Sequence, residues 1–218
     1  MLNKPSEPPL SDGCSIAFGI CTTAPNQNHI ALIYRNADSQ LMLLHHAWHN
    51  NTVHEPWNGG YFTCGFSHLD VELQETFADW AANVSARLPH TKTPYGVFYR
   101  LKDTDGQTIN EPDDLAGLSC ATYLLELFEG FDLPLLQIAS WPMSRPGDYA
   151  WLRKIMKWMR GTVPRSQWMA HFRYRHKLRR YRPEEIAGAA FHFSGSPLHF
   201  DVVSPAGEFV LAAMREAT

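Results

Sequence analysis

Four residues have the chemistry of a thiol nucleophile with its base: Cys120, His29, and the neighbouring pair His45 and His46. A cysteine nucleophile needs an imidazole close enough to take or share its proton. That imidazole needs a polar partner to fix its tautomer and orientation. Cys120 lies in the run GLSCATYLLELFEG at residues 117–130, where Ser119 reads as a helix N-cap and Leu124, Leu125 and Phe128 recur at helical spacing. Gly130 and Pro134 then stop the run. A cysteine in the first turn of such a helix sits among unpaired N–H groups at the positive end of the helix dipole, a placement that favours thiolate.

The histidines belong to the clearest strand pair of the chain. HIALIY at residues 29–34 is rich in strand formers, NADS at 36–39 is turn chemistry, and LMLLHH at 41–46 runs back. A two-residue turn at Ala37 and Asp38 sets His29 opposite His46; a three-residue turn sets it opposite His45. Ala31 shares the face of His29, and its small side chain allows a helix to approach.

Elsewhere, residues 69–87 form an amphipathic helix ended by Pro89, with Val71, Phe77, Trp80, Ala81 and Val84 on its apolar face. Residues 14–21 are a strand or a packed loop, 49–60 a loop, 95–99 a strand, and 102–114 a polar loop. Residues 149–160 are a basic amphipathic helix, and a second basic stretch follows at 173–182. Strand-like pieces around 190–193, 199–203 and 208–212 close the chain, with a turn at 204–207.

The 218 residues suit one domain: a flexible, proline-rich lead at 1–13, then a single domain over 14–218 that carries a basic helical insertion at 145–182. No apolar run is long enough for a spanning helix, and the N-terminal residues do not read as a secretory signal. The expected location is therefore the cytoplasm, or outside it by a signal-peptide-independent secretion system. Four cysteines without a C-x-x-C pair do not make a disulfide scaffold. The cluster His45, His46, His49 and His54 lacks metal-site spacing and a clear carboxylate, so no metal and no cofactor is expected. Cys14 and Cys21, like His192 and His199, read as structural.

Charge is unevenly spread. Residues 1–144 carry 6 Lys/Arg against 16 Asp/Glu, whereas 145–182 carry 12 against 1. The first expectation for the basic segment is a face salt-bridged to the acidic part of the chain. The interleaved Trp151, Trp158, Trp168 and Tyr174 also fit an anionic membrane surface, and an acidic partner or immunity protein is a third reading. Nucleic acid is not expected as a partner.

The run SCATYL…LFEGFDLP, residues 119–134, resembles the cysteine helix of the NlpC-type papain-like peptidases and amidases. HIALIY…LHHA, residues 29–47, resembles their histidine hairpin. The hairpin precedes the cysteine here, which is similar to the circularly permuted branch that includes the lecithin:retinol acyltransferase relatives. The resemblance implies an α+β, permuted papain-like fold with an antiparallel sheet packed against the cysteine helix. It implies Cys120 as nucleophile, His29 as general base and His46 as orienting partner, with the backbone N–H of Cys120 as one oxyanion donor. Tyr95 is the candidate for the other donor. The activity it implies is a thiol hydrolase acting on an amide or peptide bond of a peptide or protein, as a toxin effector or cell-wall amidase. The alternatives are a membrane-surface acyltransferase or thioesterase, and an inactive papain-like binding module.

Overall fold

The computed structural model describes residues 2–10, 13–86, 92–99 and 115–217. The polar loop expected at 102–114 lies outside the described residues. The chain is α+β. Six strands form one antiparallel sheet in the order β1-β6-β2-β3-β4-β5: β1 Leu2–Asn3, β2 Ile16–Ala24, β3 Gln27–Arg35, β4 Leu41–Trp48, β5 Asn51–Pro56 and β6 Phe62–Gly65. The helices are α1 Val71–Ser85, α2 Cys120–Gly130, α3 Asp148–Met159, α4 Arg165–Tyr174, α5 Pro183–Ala189 and α6 Phe200–Glu216.

Strand alternation divides the sheet into two faces. Ile16, Phe18, Ile20, Ile30, Leu32 and Leu44 point to one of them, and there α2, α1, α5 and α6 bury the main core with them. Phe18, Phe66, Phe77, Phe128 and Phe193 form its aromatic centre, with ring centroids 4.4–6.1 Å apart along the chain of contacts. The other face is covered more thinly: Ala17, Ala31, Ile33 and Leu43 pack under Leu10, Trp57 and Tyr61. A separate cluster, made by Leu152, Ile155, Met156 and Met159 of α3, holds α3 and α4 against Tyr95, Val97 and Phe98.

Several expectations change. Residues 2–10 are not a free lead: Leu2 pairs with Cys64 and Asn3 with Thr63, and Leu10 is buried. Residues 51–56, read as part of a loop, are the edge strand β5. The segment 95–99 makes only an isolated parallel bridge, Tyr95 with Leu118. Of the closing pieces read as strands, 190–193 is the turn that follows α5, and those around 199–203 and 208–212 belong to α6. In α6 the buried residues Val203, Ala206, Gly207, Val210 and Met214 follow the helical period; short β-branched stretches masked it. Pro205, read as a turn residue, lies inside the helix on its exposed side, where water can serve the carbonyl that loses its donor. In α1 the buried face is Gln74, Phe77, Ala78, Ala81 and Ser85, while Val71 is exposed. Gln74 earns its burial by donating to the carbonyls of Phe66 and Leu69 and accepting from Ser15 N–H.

The basic segment also departs from expectation. Among the described residues its ion pairs are with its own Asp148 and with Glu185 just beyond it, rather than with the acidic first part of the chain. Fully buried Asp148 takes Arg182 at 2.9 Å and Arg145 and Arg180 at 3.6 Å, and Arg145 also pairs with Glu185.

Helices α5 and α6 cross at glycines. A Cβ on Gly188 would lie 2.7 Å from the Ala206 carbonyl carbon and 2.8 Å from Gly207 N, so the backbones themselves are in contact. Gly188→Ala is expected to cost about 1–3 kcal/mol of stability, read as a lower midpoint in urea unfolding at unchanged slope.

Candidate active site

Cys120 opens α2, and the cap there is complete. The Ser119 hydroxyl accepts from Thr122 N–H at 3.3 Å, and the Thr122 hydroxyl accepts from Ser119 N–H at 2.7 Å. The approach to the helix is fixed by a second backbone contact. Gly117, at φ +151°, lies so close to Gly96 that a Cβ on Gly96 would sit 2.7 Å from the Gly117 carbonyl. Leu118 N–H donates to the Pro94 carbonyl and Gly96 N–H to that of Leu118. Only glycine at both positions permits this, and the result is that Tyr95 lies beside the start of α2.

The sheet opens at the same place. The β3–β4 ladder runs from Arg35 with Leu41 to Leu32 with Leu44 and stops. Beyond it β4 pairs only with β5, through His45 with Val53 and His46 with Thr52. The Ile30 N–H therefore has no β4 partner on that side, and it lies toward the Cys120 sulfur, whose anion it favours. A cleft of about 370 Å³ lies over this opening, lined by His29, His46, Tyr95 and Cys120 and roofed by Ile155 and Trp158 of α3.

The connection from β3 to β4 spans five residues, 36–40, rather than two or three, with Ser39 at φ 61°. Neither expected pairing of His29 occurs. Extrapolated past its last pair, the register would set His29 opposite Ala47 and place His45 on the same face, one diagonal step away. The rings do meet: His29 Nε2 and His45 Nδ1 are 2.7 Å apart, with the planes at 76°. His46, which the resemblance implied as the partner, points to the opposite face. It lies between the rings of Tyr95 and Tyr123, with Nδ1 3.1 Å from the Thr52 hydroxyl and Nε2 without a hydrogen-bond partner. The structure thus joins Cys120, His29 and His46 in one cleft but gives His29 the neighbour His45. Among the described residues no hydrogen bond joins the Cys120 sulfur to an imidazole.

The electrostatics correct the expected thiolate. Burial pushes the Cys120 thiol up to about 11, outweighing the N–H groups of Ile30, Ala121 and Cys120 that favour the anion. Burial lowers His29 to about 3, helped by the His45 and His46 rings, and lowers His46 to about 4, helped by His45 and His49. Burial also lowers His45, with the Glu55 carboxylate opposing it. At neutral pH the site holds a thiol and neutral imidazoles.

Three of the other histidines have local partners. His54 bonds the Tyr34 hydroxyl at 2.8 Å, His49 accepts from Tyr95 N–H, and His199 caps α6 through Asp201 N–H. No group of three or more metal-ligating side chains converges among the described residues. All four cysteines are free, with Cys14 and Cys21 part-exposed rather than fully in the core. Sequence reasoning missed Gln27, Ile155 and Trp158 as cleft residues, since nothing local signals that α3 crosses the end of the hairpin.

No protein-family model matches the chain, and neither the curated proteins nor the solved structures include a match to it.

Two outcomes follow from the protonation states. The rate of Cys120 alkylation by iodoacetamide, followed by mass spectrometry of the labelled peptide, is expected to rise about tenfold per pH unit from pH 7 to 10 without a plateau near neutrality. Stability is expected to fall with acid. Below 6.5 the unfolded chain protonates His29 and His46 while the folded one does not until pH 4 to 3, so each ring removes at most about 1.4 kcal/mol per pH unit across that window. Urea midpoints measured at pH 7, 6, 5 and 4 for the wild type and for His29→Gln read this directly; the variant should lose less.

Proposed function

We propose that this chain is a thiol hydrolase of the permuted papain-like type, which cleaves an amide or peptide bond through a thioester on Cys120. The observation that carries the reading is the meeting, in one cleft, of a capped helix-start cysteine and a histidine whose far ring nitrogen is held by a second histidine. The His29–His45 contact uses His29 Nε2, and with Nε2–H donating to His45, His29 Nδ1 remains as the proton acceptor. The thiol proton passes to that nitrogen as the sulfur attacks the carbonyl carbon, which suits a site where neither group is charged beforehand. The substrate draws sulfur and ring into hydrogen-bonding range. Imidazolium then gives the proton to the leaving amine, and water, deprotonated by the same ring, releases the acyl group as a carboxylic acid. The tetrahedral oxygen is met by the Cys120 N–H, with Tyr95 on the cleft wall as the second candidate donor. His45 replaces His46 as the orienting residue of this proposal, and His46 supports Tyr95 and Tyr123 by packing.

A second reading, acyl transfer at a membrane surface, draws on Trp158, Met169 and Phe172, which are 40–46% exposed among the basic residues of α3 and α4. Anionic liposomes at low salt should then retain the chain and release Trp158→Ala.

The hydrolase reading is tested with peptide and amide libraries in the presence of hydroxylamine, which converts a thioester to a hydroxamate. Wild type should yield product and hydroxamate. Cys120→Ala should lose at least about a thousandfold in rate, and His29→Ala and His45→Ala about a hundredfold. Turnover that persists in Cys120→Ala would sink it.

A further inference from the structure

Beside the cleft lies a larger cavity, of about 500 Å³, between the β2–β3 turn, α3 and the segment leading into α5. Its wall carries Lys154, Arg180 and Arg182 against the one carboxylate of Glu184, with Asp148 buried behind. We propose that this cavity is an anion subsite, which holds a carboxylate or phosphate group of the molecule whose scissile bond lies at Cys120. The placing of the reacting end rests on the thiol-hydrolase reading; the subsite itself does not.

The ion-pair arrangement accounts for only part of this charge. Asp148 is satisfied by Arg182 at 2.9 Å and by Arg145 N–H at 3.2 Å, and Arg145 is answered by Glu185. Arg180 is left with a 3.6 Å share of Asp148 and a place over the Trp151 ring at 4.1 Å. The Nε of Arg180 and of Arg182 are buried without a hydrogen-bond partner. Glu184 is engaged by the Asn28 amide at 3.1 Å rather than by a guanidinium. With Lys154 added on α3, positive charge exceeds negative around a concave, partly desolvated space. There an anion with two or more oxygens can meet guanidinium donors in forked geometry. Burial lowers the Arg180 pKa against the Glu184, Asp148 and Glu185 carboxylates that raise it, so this cation is partly desolvated at the cavity wall.

Two contacts separate this cavity from the cleft. Trp151 Nε1 donates to the Gln27 side-chain oxygen at 3.1 Å, and Lys154 Nζ to the Pro25 carbonyl at 2.9 Å. Trp151 faces the anion cavity and Gln27 faces the cleft, so the two spaces share a wall one hydrogen bond thick. From Trp151 to Trp158, α3 rises about 10 Å, which about three extended peptide residues would span. A substrate lying along α3 would place an acidic group at Arg180 and its reacting carbonyl at Cys120.

The test is calorimetric titration at fixed ionic strength with inorganic phosphate, with adipate, and with neutral adipamide, on wild type, Cys120→Ala, Lys154→Met and Arg180→Gln. Phosphate or adipate should bind wild type and Cys120→Ala alike, and the tighter of the two names the group the cavity prefers. Adipamide should bind at least about tenfold more weakly, and Lys154→Met and Arg180→Gln should each weaken anion binding about tenfold. Lys154 is a rim residue outside the Asp148 ion pairs, so Lys154→Met retains the fold if Arg180→Gln does not. Equal binding of adipate and adipamide, no binding of either anion, or anion affinity unchanged in Lys154→Met would overturn the subsite. None of these readouts needs Cys120 to react, so an inactive thiol would count against the hydrolase reading alone.

Discussion

A backbone donor without a strand to bond to governs the centre of this molecule. Where β4 leaves β3 after Leu44, the Ile30 N–H faces a buried gap, and leaving it empty-handed would cost about 1–3 kcal/mol. The Cys120 sulfur lies on that side, where the donor favours its anion. The first residue of α2 is therefore pinned to the sheet at the point where the sheet opens, and His29 is the neighbour of the residue it touches. The same enclosure that fixes the sulfur holds it as a thiol, so precise placement and ready ionisation pull in opposite directions.

The surroundings keep that point in place. The Gly96–Gly117 contact sets the entry to α2 and carries Tyr95 to the cleft, while the Ser119–Thr122 cap settles the first turn. From the far side α3 acts as the roof, and its own first turn is anchored by Asp148 among three arginines. Breaking such a buried ionic group by removing one partner is costly, which ties the position of the roof to residues around 180, far from the cysteine in sequence.

Local chemistry was readable and distant pairing was not. Ser119, Cys120 and the spacing of Leu124, Leu125 and Phe128 announced α2, because a cap and a helical period are written within a dozen residues. The β3–β4 hairpin was equally plain. Its register was not, since a five-residue connection closed by Ser39 at positive φ looks much like a shorter turn in sequence. That difference decides whether His45 or His46 meets the His29 ring. The C-terminal helices were missed because residues such as Val202, Val203 and Val210 carry strand propensity, which tertiary packing overrides. The protonation of Cys120 was also beyond reach. Helix position argues for thiolate, and only the depth of burial, a property of the whole fold, reverses it.

The borders of the sheet have a consequence of their own. One margin is a two-residue strand, β1, and the other is β5, six residues long and with none of them buried, carrying the charged Glu55 and a terminal proline at Pro56. Such margins give a passing polypeptide few main-chain groups to zip onto, which guards against fibrous self-association. They also bear on recognition: an extended guest gains little by lengthening the sheet, and must be read through side chains in the hollows beneath α3.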